Sequence, residues 1–294
     1  MATTGLTIVR GPQTAGRRVA HGLGRTVLNV VLAVVTIVWL IPTVGLLITS
    51  LRPLGDSTSS GWWTVFTDAA GLTLDNFANL LSNATITRSL LNTVLIAVPA
   101  TVLVVVLAAL AAYAFAWVDF QGRTTLLVMI IVLLAVPLQT AFIPLARLFG
   151  AIGIFGSVIG VILFHTAFGL PFAIFLLRNT FTQLPYEMIE SARLDGSNEW
   201  QVFSRFVLPL GMPAVASLAI YQFLWTWNDM LVALIFSNSQ SQPITVAIQS
   251  QLRAFSSNID VLATGAFLSM VIPLAVYFAF QKYFESAILA GSTK

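Results

Sequence analysis

Residues 178–209 read RNTFTQLPYEMIESARLDGSNEWQVFSRFVLP. This stretch holds three of the fourteen Lys/Arg and four of the eleven Asp/Glu of a chain that is only 9% charged. Pro185 can start a helix, because its missing N–H would be unpaired in the first turn anyway. The spacing then predicts about two helical turns over Tyr186–Leu194. Gly196 ends them, since glycine accepts the left-handed conformation that stops a helix at low cost. Ser197 is the expected cap of a second short helix, Asn198–Val207. Pro209 is expected to stop that helix and begin the next apolar segment. The stretch therefore reads as helix, sharp turn, helix.

Outward from this loop the sequence is apolar. The 294 residues are 57% hydrophobic, with a mean hydropathy of +0.91. A soluble domain of this length needs far more polar surface. Six charge-free runs, at 26–51, 89–118, 124–146, 148–177, 206–228 and 261–281, are each long enough to cross a hydrocarbon core as a helix. Backbone groups in lipid must be bonded internally, and the short alternating segments of a β-barrel are not seen. The expectation is an all-α integral membrane protein with six transmembrane helices.

Lys/Arg placement orients it. With the N-terminus inside, the inner segments hold Arg10, Arg17, Arg18, Arg25, Arg123, Arg178, Arg193, Arg205, Lys282 and Lys294. The outer segments hold only Arg52, Arg88, Arg147 and Arg253. Both termini and the polar stretch are thus expected in the cytoplasm. The chain divides into a cytoplasmic tail, residues 1–26, and one transmembrane domain, residues 27–294, with the loop at 179–209. The long outer connection at 50–88 carries Asp56, Asp68, Asp75, Trp62 and Trp63, as suits a wet loop with interfacial aromatics. The first apolar run is too long for a cleaved signal sequence and is expected to stay as an anchor.

Several chemistries lack their residues. No cysteine is present, which excludes disulfides and thiolate sites. The only lysines are Lys282 and Lys294, and no phosphate-binding G-x-x-x-x-G-K-[ST] motif exists. H-E-x-x-H and G-x-S-x-G are also absent. The one basic cluster, Arg10 to Arg25, precedes a span and reads as a topology signal rather than a nucleic-acid surface.

The first loop helix places Met188, Ile189 and Ala192 toward one side, with Glu187 and Glu190 nearby. Small apolar residues beside acids suit insertion into a partner's groove. A helix resting on inner headgroups is the competing reading, but such helices are basic, whereas this one sets Glu187, Glu190 and Asp195 against Arg193.

Glu190-Ser191-Ala192, Gly196, Phe206 and Leu208-Pro209 stand at the spacings of a loop known from another setting. The run resembles the ATPase-coupling loop of permease subunits of ATP-binding-cassette importers. There the pattern is Glu-Ala-Ala, three residues, Gly, nine residues, Ile, one residue, Leu-Pro. Ser191 and Phe206 are mild departures, and Asp195 before the glycine is typical of the carbohydrate branch. Ala111–Phe115 with Phe120–Arg123, Pro171–Arg178, Trp227-Asn228-Asp229, and Phe280–Phe284 with Ala290-Gly291 resemble other segments of that branch. The likeness is greatest to the shorter permease subunit of maltose-type importers.

The resemblance implies a type I importer permease fold in a bacterial plasma membrane. It implies a second homologous permease subunit, two cytoplasmic ATP-binding subunits that bind ATP and Mg²⁺, and an extracytoplasmic substrate-binding protein. No cofactor belongs to this chain on that reading. The coupling-loop residues carried over are Glu187, Glu190, Ser191, Ala192, Asp195, Gly196, Leu208 and Pro209. The cargo would be a sugar or oligosaccharide.

Trp227, Asn228 and Asp229 are candidates for the translocation path, the indole stacking on sugar rings. An acid within a span is functional by default. A structural hydrogen-bonding cluster is favoured for Asp229, because charges near helix ends are cheap. His165, alone in an apolar run, reads as bonded to a neighbouring helix; a proton relay would need acids beside it, and none is near in sequence. Gly150, Gly153, Gly156, Gly160 and Gly169 read as a packing seam, including a G-x-x-x-G at 156–160. Pro137, Pro144 and Pro171 are expected to kink spans or mark their ends. The rival readings are an ion-coupled secondary transporter, which needs titratable groups at mid-membrane, and a membrane-embedded enzyme, which needs a catalytic cluster.

Overall fold

The computed structural model describes residues 15–67, 71–254 and 259–292, with side chains described at 26–53, 55–67, 71–251 and 261–282. The side chains of Arg10, Arg17, Arg18, Arg25, Asp68, Arg253, Tyr283, Phe284, Ala290 and Lys294 therefore lie outside the described residues. Every regular element among the described residues is a helix. In order, α1 (Ala15–Leu51) leads to α2 (Leu54–Ser59), a 3-10 turn at Trp62–Phe66 and α3 (Asp75–Ser82). Then come α4 (Ala84–Trp117), α5 (Arg123–Leu133), α6 (Phe142–Ala151) and α7 (Val158–Phe181). The polar stretch forms α8 (Tyr186–Leu194), α9 (Glu199–Val202) and α10 (Leu208–Leu210). The chain continues through α11 (Met212–Trp227), α12 (Leu231–Phe236), α13 (Ile244–Ala254) and α14 (Ile259–Ser292).

Four helices are long and apolar enough to cross a membrane: α1 from Thr26, α4, α7 and α14 over Val261–Lys282. The count reaches six if each of two bent pairs is one span. The charge-free run at 124–146 is thus no single helix. α5 ends at Leu133, Pro137 sits in extended backbone at ψ 126°, and Leu138–Ala151 departs at 98°. Proline lacks the N–H that would continue the ladder, so the chain turns there. The run at 206–228 is also broken, by 75° between Glu199–Leu210 and Met212–Trp227. Pro144 lies in the first turn of α6, where it costs little, and Pro171 lies inside the unbroken α7.

Side chains gain little by leaving lipid for another helix, so close approach must hold the spans together. α4 supplies it with a buried stripe of small residues, Ala97, Ala100, Val104, Ala108 and Ala112, and its most extensive partner is α7. At the crossing with α11, a Cβ on Gly169 would lie 2.7 Å from Gln222 Oε1 and 3.0 Å from Val104 Cγ2. The expected glycine seam is only partly a seam. Gly153 and Gly156 occupy the connection before α7 at φ +76°, so the G-x-x-x-G is not a helix face. Of the five, only Gly169 is tight against other helices; a Cβ on Gly160 would lie 2.6 Å from Ile154 O in the preceding connection.

α1 leaves its apolar residues from Val27 to Ile41 exposed on all sides, as fits a helix whose neighbours are lipid or another chain. Arg52, just past its end, is buried and donates to the backbone oxygens of Asp56 and Ser60. A second cluster joins Ile96, Phe149, Val161, Phe164, Val232 and Phe236 at the end of the bundle away from α8.

Candidate functional site

α8 begins after Pro185, and Ser191 Oγ donates back to Glu187 O at 2.8 Å. Its end is a Schellman motif. Gly196 N–H donates to Arg193 O at 3.0 Å and Ser197 N–H to Ala192 O at 3.1 Å, with Gly196 at φ +83°. Asn198, not Ser197, caps the second helix. Its Oδ1 accepts from Gln201 N at 2.9 Å, while Gln201 Oε1 accepts from Asn198 N at 2.9 Å. The amide at 198 can close this two-way box with Gln201, whereas Ser197 lies one position too early. The expected single helix to Val207 is also corrected. After Val202 the backbone opens into a π turn at Phe203–Val207, and the helix stops at Gly211 rather than at Pro209, which α10 contains.

The apolar face of α8 points inward, contrary to the expectation that it serves a partner. Ile189 and Ala192 are buried against α4 and α7 with Tyr113, Phe115, Leu177 and Phe181. The outward face is Glu187, Glu190, Ser191, Asp195 and Gly196, with Leu194 83% exposed and Tyr186 58% exposed. Glu187, Glu190 and Asp195 form no ion pair within the described residues. Leu208 is half-buried and Pro209 exposed. A large exposed leucine flanked by unpaired acids is unusual for a solvated face, and the sequence reading passed over it.

The loop is tied to α4 by polar contacts that the sequence reading did not anticipate. Arg193 pairs with Glu199 through Nε at 3.0 Å and Nη2 at 3.1 Å, and Nη2 also donates to Trp117 O at 2.8 Å. Tyr113, buried in α4, donates its hydroxyl to Glu199 Oε2. Trp117 Nε1 donates to Phe181 O at 3.2 Å. Glu199 opens α9 in the polar loop, ahead of the charge-free run at 206–228. Its partial burial pushes the carboxyl upward, but hydrogen bonds from Tyr113 and Arg193 and the arginine's charge outweigh this and hold it below the usual range. The same bond to Glu199, working against burial, raises the Arg193 guanidinium.

The second set of candidates is split by the fold. Trp227 is buried and donates Nε1–H to Ser269 O at 3.0 Å, so its ring has no face open for stacking. Asn228 is exposed and lines a cavity of about 650 Å³ between α11, α13 and α14, with Thr245, Ser269 and Tyr277. Asp229 accepts from Val232 N at 3.3 Å and Ala233 N at 3.1 Å, capping α12. Its Oδ2 lies 3.5 Å from His165 Nε2, and His165 is 1% exposed. The acid that the histidine lacked in sequence is thus delivered by the break between α11 and α12. No group of three His, Asp or Glu that could hold a metal occurs among the described residues.

Residues 104–289 match the family described as binding-protein-dependent transport system inner membrane component. The chain is 43% identical over 272 residues to the osmoprotective compounds uptake permease protein GgtD of Synechocystis sp., covering 91% of each. It is 47% identical over 229 residues to the alpha-glucoside transport system permease protein AglG of Rhizobium meliloti, covering 76% of this chain and 60% of that protein. The fold matches a crystal structure of a bacterial ABC transporter involved in the import of alginate, with TM-score 0.76 at 21% identity, covering 93% of this chain and 99% of that one.

Proposed function

Because the chain belongs to the family of binding-protein-dependent transport system inner membrane components, we propose that it is a permease subunit of an importer that moves a sugar or sugar-like solute across the bacterial plasma membrane. It forms half of the pore. A second homologous permease forms the other half, two cytoplasmic subunits bind and hydrolyse ATP with Mg²⁺, and an extracytoplasmic protein delivers the solute. The relatives' names, among them alpha-glucoside and arabinooligosaccharide permeases, support a carbohydrate cargo.

The observation that carries this reading is the outward face of α8: Leu194 with Glu187, Glu190 and Asp195, presented on a capped turn. Leu194 would fill an apolar groove of the ATPase, and the acids would meet basic groups at its rim. Glu187, Glu190, Ser191, Asp195 and Gly196 thus form the docking surface, and Ala192, Leu208 and Pro209 seat it. Asn228 borders the path, and Asp229 holds its wall.

Two measurements test the proposal. Glu190→Lys should leave the chain inserted but strip the ATPase subunits during purification, because like charges would face each other. Retention of wild-type amounts would refute the docking surface. A cysteine at Asn198 should react with an impermeant thiol reagent only in inside-out vesicles; reaction in intact cells would reverse the orientation. Among the described residues, the pairing of buried His165 with partly buried Asp229 is a feature that an ion-coupled carrier would also need. Uptake that persists after the proton gradient is collapsed, while ATP is maintained, distinguishes the two.

A further inference from the structure

The covalent joints between the loop and its flanking spans interrupt the α-helical ladder at both ends. Four residues, Thr182–Pro185, link α7 to α8, with Pro185 at ψ 123°. At the other end a π turn and the 75° bend at Gly211 separate α9 from α11. A displacement of α8 would be absorbed at these joints unless something braces them.

The brace comes from α4, which is adjacent to the loop only in space. The last turns of α4 hold three segments at once. Tyr113 bonds Glu199 of α9, Trp117 O accepts from Arg193 of α8, and Trp117 Nε1 donates to Phe181 O at the end of α7. The Trp117 ring also stacks on Tyr186, with centroids 6.3 Å apart, and Tyr113 packs on Phe203 at 5.3 Å. Arg193 and Glu199 close the polygon across the turn. α4 in turn packs along α7 over most of its length.

We propose that Tyr113, Arg193 and Glu199 are positioning residues that join the loop to α4 and α7 as one rigid body, so that movement of the ATPase reaches α4 rather than being lost at the joints. This rests on the docking reading above. Tyr113→Phe keeps the ring on Phe203 and removes only the hydroxyl. A hydrogen bond to a charged acceptor is expected to shift the balance between seated and loosened loop about tenfold.

The experiment uses the full complex with its partner chains made cysteine-free. Spin labels go on Arg205→Cys in the loop and Leu91→Cys on α4, both exposed. Their distance distribution is read without nucleotide and with ATP and Mg²⁺. The rigid body predicts one narrow distance in both states for the wild type. It predicts a broadened or shifted distribution for Tyr113→Phe, with ATPase subunits still bound. Arg193→Ala, which spares the Tyr113–Glu199 bond, is the second variant and should broaden it likewise. Distributions as narrow as wild type in both variants would overturn the proposal. So would a wild-type distance that itself shifts on adding ATP. If the ATPase fails to co-purify with the labelled wild type, the docking reading fails instead, and the brace is judged on the nucleotide-free distributions alone.

Discussion

Replacing Gly196 by valine tests the loop at its tightest point. Gly196 has φ +83°, and a Cβ built there meets nothing within 4 Å. No neighbour opposes a side chain, so the whole penalty arises in the backbone. An L-residue in the left-handed region costs about 1–2 kcal/mol, with β-branched residues at the upper end. About 2 kcal/mol corresponds to roughly a 30-fold shift away from the observed turn. The two Schellman hydrogen bonds, at 3.0 and 3.1 Å, depend on that conformation and go with it. Loss of the turn would swing Asp195 and Leu194 out of register with Asn198 and its box. Asparagine tolerates the same region, so Gly196→Asn should retain most of the function. The assay is purification of the complex, followed by the amount of bound ATPase and the ATP hydrolysis stimulated by the loaded binding protein. Valine should lower both severely, and asparagine only mildly. Wild-type behaviour of the valine variant would refute the reasoning. So would equal failure of both variants, since the side chain itself, not φ, would then be at fault.

Gly211→Ala acts by a different cause: its Cβ would stand 2.4 Å from Phe181 Cε1. It should destabilise the protein by about 1–3 kcal/mol, visible as a lower thermal midpoint; an unchanged midpoint would mean that the ring yields freely. Asp229→Asn keeps an acceptor for the amides of α12 and should cost about 1 kcal/mol or less, lowering uptake less than Gly196→Val does. Complete loss of uptake in a fully assembled complex would instead make Asp229 part of the path. Glu199 is held below the usual carboxylate range, so its contribution is full above that range and is lost as pH falls through the lower folded value. Proteolysis of the loop should therefore accelerate in wild type only in acid, whereas Glu199→Gln should be cut equally fast at neutral pH. A wild-type loop already released at pH 7 would count against the ion pair.

Much of the loop was legible because its signals are local. Pro185 and Gly196 bound a helix whose residues, Tyr186–Leu194, coincide with those read from the sequence. Capping was legible only approximately, since choosing Asn198 over Ser197 depends on whether Gln201 reaches back. The membrane class followed from charge-free length, and family membership from motif spacing. The break at Pro137 was signalled by the residue but not by the run's composition, which is apolar on both sides of it.

What only the tertiary structure decided is which side of each helix is inside. In a soluble protein, polar and apolar faces mark this. In a span, lipid and protein interior are equally apolar, so the sequence pattern does not separate the face of α4 that packs on α7 from the face that meets lipid. The same blindness placed Ile189 and Ala192 outward on a loop helix that buries them. It also hid the pairings of His165 with Asp229 and of Tyr113 with Glu199. These join residues distant in sequence, brought together by helices that cross. Local signals determined that the chain is helical and where α8 begins and ends. The contacts that turn them into a coupled machine depend on three-dimensional approach, which no local pattern encodes.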